Sequence, residues 1–367
     1  MPAGTHLGVP GDPAALAGLL TPPEVAVAAA EPRRTWPPVD GDVDVAGWVS
    51  ARVGPAVVDR LVEPLLGGVY AGHADWLSLR ATVPALWPAA ASGASVVEAA
   101  AGRAGAGTAA GGPVFAGLRG GVARLAEALA SRVEVRTGTA VHAVETLRGT
   151  GFRLHSGPRP HPETVDVDGV VLAIPPGRAA RLLRDVVPAA AAHLATVRTA
   201  SMALCTAVLP AGTLGAVGGS DGPLSGVLVP PVEGRLVKAM TFSSVKWDWV
   251  RDAAGGLDVL RLSVGREGEE QVLQRPDGEL LAAALADAAQ LLGRPLPPSA
   301  ALVTRWGGAL PQYAVGHVDL VERVRTAVAG QPGLALAGAA YDGLGVPACI
   351  ASADAAAARV LDSLDLT

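Results

Sequence analysis

The sequence has little of the chemistry that builds disulfide-rich, metal-binding or nucleic-acid-binding proteins. Only two cysteines, Cys205 and Cys349, occur among 367 residues, and neither belongs to a Cys–Cys or Cys–His pair at metal-ligand spacing. Neither a disulfide framework nor a zinc site is therefore expected, and a reducing compartment fits better. Charged residues make up only 17% of the chain and the net charge is −5. A strongly basic nucleic-acid surface is not expected either.

Long hydrophobic runs are also missing. No stretch of about 18 uncharged apolar residues occurs, and the start, "MPAGTHLGVPGDP", lacks the basic and apolar regions of a signal peptide. We therefore expect no transmembrane segment, at most peripheral membrane contact, and a cytoplasmic location. The same start is rich in proline and glycine, a composition typical of an internal loop.

Apolar residues are abundant in the rest of the chain, at 50% of the total, which is enough to bury the cores of two domains or lobes. Helices are predicted over 14–30 and 43–66. The second of these has apolar residues at spacing four on one face: Val45, Val49, Val53, Val57, Leu61 and Leu65. Asp42 or Asp44 is expected to cap this helix, and Gly67 and Gly68 to stop it. The Ala/Gly-rich residues 99–112 are expected to form a mobile loop.

The remainder of the chain alternates between predicted helices and strands. A helix is predicted over 121–131, followed by strands at 133–136, 139–145, 152–156 and 167–175. Region 200–265 is richest in β-forming residues and contains four separate runs: "SMALCTAVL", "GVLVP", "LVKAMTFSS" and "LDVLRLSVG". A helix over 279–292, a buried strand over 333–340 and a helix over 347–364, with Pro347 in its first turn, complete the chain.

The C-terminal connection between strand and helix carries a chemical signal. The strand runs through Gly338 into the turn "YDGLG", which contains Gly343 and Gly345, and then into the start of the last helix. Free N–H groups and the positive end of the helix dipole at that point suit a phosphate or a developing anion. An ordinary tight connection explains the same pattern, so the turn alone does not decide between them.

Several segments, taken together in chain order, carry a family resemblance. They are "PAGTHLGVP" (2–10), "DRLVEPLLGGVYAGHADWLSLRATVPAL" (59–86), "LRGGVARLAEAL" (118–129), "VVLAIPP" (170–176), "TFSSVKW" (241–247), "TRWGGALPQYAVGH" (304–317) and "LALAGAAYDGLGVPACIASADAAA" (334–357). With these segments the chain resembles the FAD-dependent protoporphyrinogen and coproporphyrinogen oxidases of haem biosynthesis, a branch of the flavin amine-oxidase superfamily.

The resemblance implies a two-lobed α/β flavoprotein, with a discontinuous Rossmann-like FAD-binding domain and a mixed-sheet substrate domain that has a helical subdomain. Residues 1–110 would form the helical substrate subdomain, 111–195 and 326–367 the FAD-binding domain, and 196–325 the substrate domain with its sheet. The implied reaction is the oxygen-dependent oxidation of coproporphyrinogen III to coproporphyrin III with release of hydrogen peroxide. Protoporphyrinogen IX is the alternative substrate, and a ferrochelatase is a candidate partner that receives the product.

One element of the resembled family is missing from the sequence. The family begins with a strand–GxGxxG–helix unit that holds the FAD pyrophosphate, and no GxGxxG occurs here. We therefore expect that the N-terminal dinucleotide-binding unit is absent from this chain. A truncated, non-catalytic remnant unable to bind FAD is the third interpretation.

The resemblance also names site residues, each by its match to a family segment. It places the flavin ring and ribityl chain against Gly338, Ala339, Gly345, Val346 and Pro347, the adenine against the backbone of Val141, and the porphyrinogen against Gly67 and Gly68. No catalytic residue and no metal ligand is assigned. Substrate propionates would favour arginine, but the sequence does not choose among the arginines.

Six other side chains are candidates for ligand contact, but the sequence assigns none of them a role. Lys246 matches a lysine that lies near the flavin in amine oxidases, but a surface position is the more common state of a lysine. Three tryptophans and two histidines could contact a ligand but pack or cap at least as often: Trp247, Trp249, Trp306, His73 and His317. An amine oxidase or a carotenoid desaturase is a further alternative, against which "GGVYAG" and "ALPQYAVGH" argue.

Overall fold

The computed structural model of the chain describes residues 2, 4–109, 116–158, 160–215, 217–219 and 222–364. They divide into two compact units. The first unit comprises Met1–Glu127 with Ala200–Ala309, and the second comprises Ala128–Thr199 with Leu310–Thr367. Helices and strands occur in both units, so the expected α/β class is confirmed. The expected domain boundary at 110–111 lies outside the described residues, and the division into domains stays a prediction.

The strands of the described chain are mostly short. They are β1 (Thr5–His6), β2 (Val9–Pro10), β3 (Val141–Thr146), β4 (Phe152–Ser156), β5 (Glu163–Val167), β6 (Val170–Leu172), β7 (Thr199–Leu209), β8 (Gly218–Gly219), β9 (Gly222–Pro223), β10 (Gly226–Leu228), β11 (Val237–Phe242), β12 (Asp258–Val264), β13 (Ala300–Pro311) and β14 (Leu334–Leu336).

The helices range from single turns to five turns. They are α1 (Pro22–Ala29), α2 (Val45–Val53), α3 (Pro55–Val57), α4 (Glu63–Tyr70), α5 (Leu79–Thr82), α6 (Trp87–Ser92), α7 (Val96–Ala109), α8 (Ala123–Ala130), α9 (Pro176–Leu183), α10 (Pro188–Ala195), α11 (Ser243–Lys246), α12 (Asp248–Ala253), α13 (Asp277–Leu292), α14 (His317–Ala329) and α15 (Val346–Ser363).

A five-stranded sheet with the order β10-β11-β12-β7-β13 forms the centre of the first unit. Neighbouring strands from β10 to β7 run antiparallel. Alternate residues of β12 are buried, among them Leu260 and Leu262, and they pack with Leu280 and Ala284 of α13. Period-two burial on the sheet and an apolar stripe on the helix therefore build this core, as the sequence pattern predicts. Cys205 lies opposite Leu262 in the same core.

The predicted helix over 43–66 is present but interrupted. Asp44 caps α2, because its carboxylate accepts the N–H of Gly47 at 2.5 Å. Gly54, at φ +94°, and Pro55 end α2, since that backbone angle is not helical and proline lacks the N–H that the next turn needs. The chain then continues through α3 and a π-helical turn at Val58–Val62 into α4.

The expectation that Gly67 and Gly68 stop this helix is wrong. Both lie inside α4, which ends at Ala71 in the left-handed region (φ +51°), whose N–H bonds to the carbonyl of Gly67. A glycine inside a helix costs about 1 kcal/mol relative to alanine. Burial of Leu66 and Tyr70 beside the glycines offsets that cost.

Three further expectations need correction. The predicted helix over 14–30 reduces to a 3-10 turn at Pro13–Leu16 and to α1. The predicted loop over 99–112 is helical up to Ala109, as part of α7. Glu31 caps the start of this helix, because its carboxylate accepts the N–H groups of Val96 and Val97. Residues 110–112 lie outside the described residues. Segment 133–136 forms no strand, since no described residue pairs with it.

Two separate sheets and four helices make up most of the second unit. Strands β3, β4 and β5 form an antiparallel sheet, and β6 pairs in parallel with β14. The predicted strand over 167–175 is divided between β5 and β6 by a bend at Asp168. Phe152 and Leu183 lie at the centre of the core, together with the inner faces of α9, α10 and α14. The helix predicted over 347–364 corresponds to α15, whose start follows β14 through the glycine-rich turn.

Candidate functional site

In the first unit, the glycine pair lies in the last turn of α4. Gly67 is buried, and a Cβ built on it would lie 3.5 Å from the carbonyl oxygen of Gly72. Gly68 is exposed, and a Cβ there would lie 3.7 Å from Leu228, an ordinary van der Waals distance. Both glycines are helical, so neither is needed for a left-handed backbone. Packing and backbone geometry therefore leave the bare surface at Gly68 unexplained.

The backbone that follows Gly68 is fixed from two sides. The Glu63 carboxylate accepts the N–H of Ala74 at 2.7 Å and lies 3.0 Å from Nδ1 of His73. The N–H of Glu267 donates to the carbonyl oxygen of Ala71 at 2.7 Å. The hydrogen bond to Glu63 also raises the pKa of His73. His73 is therefore paired with Glu63, and the contacts together hold the left-handed turn at Ala71 in place.

Two buried basic side chains lie next to the strand end that faces Gly68. Lys238 and Arg266 are only 3% and 4% exposed. Lys238 Nζ donates to the carbonyl oxygen of Gly265 at 2.7 Å, and Arg266 donates to that of Val229 at 3.4 Å. Burial, with Arg266 nearby, lowers the pKa of Lys238 to about 7. Val229 follows Leu228, the neighbour of Gly68, so Arg266 braces this end of the sheet, and Lys238 holds Gly265 beside it.

Of the candidate side chains in the first unit, Trp247 packs on its neighbours, whereas Lys246 and Trp306 are exposed. Lys246 is exposed, as expected, with its Nζ 5.6 Å from the ring centre of Trp247. The ring of Trp247 packs so closely on Gly117 that a Cβ there would lie 3.2 Å away. Trp306 is 51% exposed on β13.

In the second unit, the glycine-rich turn between β14 and α15 has the geometry that the sequence suggests. Gly338 has φ +110°, and a Cβ built on it would meet no atom within 4 Å. Gly345 precedes the first residue of α15, and no side chain caps this helix start. Gly345, Val346 and Pro347 are exposed. The turn therefore presents open space and the positive end of an 18-residue helix to its surroundings.

Side chains that sequence reasoning missed fasten this turn. Tyr313 Oη donates to the carbonyl oxygen of Ala339 and accepts the N–H of Gly343, both at 2.8 Å. Ser352 Oγ accepts the N–H of Gly338 at 3.1 Å. The segment "ALPQYAVGH" carried the resemblance, but nothing in its spacing indicated this contact. His317 is buried and stacked on Tyr313, with 3.9 Å between ring centres.

Val141 lies at the rim of a cleft in the second unit. It begins β3, is 39% exposed, and borders a volume of about 690 Å³. Apolar strand residues, among them Val171 and Leu172, line one part of this cleft, and Arg178 and Arg181 of α9 line another. An apolar wall beside two guanidinium groups suits a planar aromatic base joined to phosphates.

The described side chains include no group of three or more His, Cys, Asp or Glu placed to hold a metal ion. No helix in the described part of the chain combines the length and the apolar composition that crossing a bilayer requires.

Comparison with known proteins gives one family and consistent relatives. The family model of flavin containing amine oxidoreductases matches residues 42–361. A coproporphyrinogen III oxidase of Mycobacterium tuberculosis is 38% identical over 367 residues, which are 100% of this chain and 77% of the relative. A protoporphyrinogen oxidase of Bos taurus is 30% identical over 88% of this chain and 69% of the relative.

Solved structures give the same fold. A protein from Exiguobacterium sp. 255-15, assigned as a protoporphyrinogen oxidase, superposes with a TM-score of 0.80 at 30% identity, over 99% of this chain and 77% of that chain. The cyclohexylamine oxidase of Brevibacterium oxydans superposes with a TM-score of 0.57 over 88% of this chain and 68% of that chain. At 14% identity this second likeness concerns the fold alone.

Proposed function

The chain belongs to the flavin-containing amine oxidoreductase family, and from that premise we propose that it is an FAD-dependent oxidase of coproporphyrinogen III. The product would be coproporphyrin III, dioxygen the final electron acceptor and hydrogen peroxide the by-product. The observation that carries this choice is 38% identity over the whole chain to a protein named coproporphyrinogen III oxidase.

The turn between β14 and α15 is the proposed flavin contact. Gly338, Ala339, Gly345, Val346 and Pro347 would touch the ring system and the ribityl chain. The open space beside Gly338 and the uncapped start of α15 support this assignment, because a helix N-terminus stabilises the negative charge of a reduced flavin. When bound, a flavin supplies the two-electron acceptor for each oxidation and passes the electrons to dioxygen.

The cleft at Val141 is the proposed site of the adenosine end of FAD. The Val141 backbone and the apolar strand residues would contact the adenine. Arg178 and Arg181 would attract the phosphates through charge-assisted hydrogen bonds. The apolar wall and the two guanidinium groups support this assignment.

The exposed surface at Gly68 is the proposed contact for the porphyrinogen. A flat macrocycle can approach a helix backbone closely only where no Cβ projects, and Gly68 provides such a point without any structural need for glycine. The last carbonyl groups of a helix have no partner within the helix, so those after Gly67 could accept the pyrrole N–H groups. The rigid turn at Ala71 would keep this surface in place.

The domain roles follow from these assignments. We propose that 111–195 and 326–367 belong to the FAD-binding domain, 196–325 to the substrate domain, and 1–110 to its helical subdomain. A cytoplasmic location is proposed because both cysteines are free thiols, as is usual in a reducing compartment. A ferrochelatase that takes up the porphyrin remains a proposal by resemblance.

Two alternatives are each favoured by one observation. Protoporphyrinogen IX is the alternative substrate, since the relatives from Bos taurus and Exiguobacterium carry that name. A remnant that binds no FAD is the other, since the sequence contains no GxGxxG.

The test of the proposal begins with flavin uptake. The purified chain is incubated with FAD, freed of excess by gel filtration, and assayed in air for porphyrin fluorescence from each porphyrinogen, with the chain that received no FAD as the control. Bound flavin and faster turnover of coproporphyrinogen III are expected. Faster turnover of protoporphyrinogen IX would favour the first alternative, and a protein that takes up no flavin would favour the second.

A further inference from the structure

The hydroxyl of Tyr313 joins the two ends of the proposed flavin turn. It donates to the carbonyl oxygen of Ala339 and accepts the N–H of Gly343, with both distances at 2.8 Å. The side chain comes from the short segment between β13 and α14, so the contact spans elements that are 26 and 30 residues away in sequence. One side chain thus sets the separation of the two ends of the turn.

The turn depends on such an external contact. Gly338 and Gly343 have φ values of +110° and +139°. Glycine adopts positive φ about as readily as negative φ, so neither residue by itself favours this conformation over another. Within the turn, the N–H of Tyr341 donates to the carbonyl oxygen of Gly338 at 3.3 Å. Side chains from outside the turn add the hydrogen bonds that restrict its conformation further.

Tyr313 is well suited to hold the turn, because its own position is fixed. It is 1% exposed, and its ring stacks on His317 with 3.9 Å between ring centres and 14° between planes. His317 is itself buried at the start of α14. A rigid aromatic side chain loses little conformational entropy when it makes these two hydrogen bonds.

The turn leads directly into the start of α15. Gly345 follows Gly343 by two residues and precedes the exposed Val346 and Pro347. We propose that Tyr313 is a positioning residue, which acts through the Ala339–Gly343 backbone to place the N-terminal end of α15 against the flavin. This inference rests on the proposed function, since it takes the turn to be the flavin contact.

The same turn contains a matched control. Tyr341 is 5% exposed, and within the described part of the chain its buried hydroxyl has no hydrogen-bond partner. Tyr341→Phe removes the same atom as Tyr313→Phe, a buried phenol oxygen beside this turn, but breaks no hydrogen bond to the backbone. The comparison therefore separates loss of the bridge from loss of a buried hydroxyl.

The first measurement needs no flavin. Hydrogen exchange of the Gly343 amide should be about tenfold faster in Tyr313→Phe than in the wild type, because the acceptor of that N–H is lost. Exchange in Tyr341→Phe should match the wild type. Equal exchange in all three proteins would overturn the proposal, and so would the same acceleration in both variants.

The second measurement separates positioning from a merely structural role. Tyr313→Phe should weaken the binding of oxidised FAD about tenfold. The midpoint potential of the bound flavin should also fall, by ~30 mV if the affinity for reduced FAD drops by a further factor of ten. Faster exchange with unchanged affinity and potential would mean that Tyr313 only stabilises the turn, and would overturn the proposal. A wild-type chain that takes up no flavin would overturn the proposed function and the positioning role with it.

Discussion

Gly68→Ala separates the two explanations for the bare end of α4, because they predict opposite effects. If the glycine serves the fold, alanine should destabilise the protein. Gly68 is helical and exposed, however, and an added Cβ would lie 3.7 Å from Leu228, which requires no neighbour to move. Alanine is favoured over glycine in a helix by roughly 0.5–1 kcal/mol. The free energy of unfolding should therefore rise by about that amount.

The same methyl group should impair the proposed reaction. If a macrocycle rests on the helix backbone at Gly68, the methyl holds it away from that backbone. We expect kcat/KM for coproporphyrinogen III to fall at least about tenfold, a loss of ~1.4 kcal/mol of transition-state stabilisation. FAD affinity should not change, since the proposed flavin contacts lie elsewhere in the chain. Gly68→Val, with a larger side chain, should lower kcat/KM further.

Urea denaturation, FAD titration and porphyrin fluorescence read out the three quantities. Gly102→Ala is the matched control, because Gly102 is an exposed glycine inside α7 and a Cβ there would meet no atom within 4 Å. It should gain similar stability without losing activity. Unchanged kcat/KM in Gly68→Ala would show that no macrocycle rests on the backbone at Gly68, and so would an equal loss of FAD affinity and turnover.

Three further predictions concern buried charges. The pKa of Lys238 is about 7 in the folded protein, against 10.5 for an ordinary lysine. Between pH 7 and pH 10.5 the free energy of unfolding should therefore rise by up to ~1.4 kcal/mol per pH unit. Urea midpoints should show this rise in the wild type and not in Lys238→Met. The hydrogen bond to Glu63 raises the pKa of His73, so this contact contributes its full stabilisation of the folded protein below pH ~6.5. The stabilisation is lost as the pH rises through the pKa of His73 in the folded protein. If the same loss of stability with pH persists in Glu63→Gln, the contact with Glu63 does not cause it. Glu31→Gln should cost roughly 1–3 kcal/mol in urea unfolding, since the fully buried carboxylate caps α7, and a loss below ~0.5 kcal/mol would contradict that role.

The elements that the sequence predicts correctly are those whose signal is local. Helix α13 has a continuous apolar stripe, and β12 alternates between buried and outward residues, so periodicity is enough to identify them. Asp44 was one of two candidates for the cap of α2, and the structure selects it. The start of α15 follows the same logic, with glycine before the helix and Pro347 in its first turn.

The errors arise where distant contacts decide. Residues 99–109 were expected to be a loop because of their glycines, but Glu31, some 65 residues earlier in the chain, caps the helix that contains them. Segment 133–136 has the composition of a strand, yet a strand requires a neighbour that the described chain does not give it. Gly67 and Gly68 look like a helix stop, although the chain turns only at Ala71.

The same division holds for the candidate site. Gly68 and Gly338 were assigned to the site through the family resemblance of the segments that contain them. Tyr313 and Lys238 cannot be named from the sequence, since their partners are backbone groups on other elements. No spacing rule in a single sequence connects a side chain to a carbonyl oxygen 26 or 27 residues away.

We propose that this chain holds a flavin that coproporphyrinogen III reduces. The most direct measurement is an anaerobic one, in which coproporphyrinogen III is added under argon to the chain loaded with FAD, and the visible absorbance of oxidised flavin is followed together with porphyrin fluorescence. We predict that the absorbance is lost as the fluorescence appears, and that admitting air restores the absorbance. A protein that takes up no flavin, or a bound flavin whose absorbance does not change with the substrate, would contradict the account.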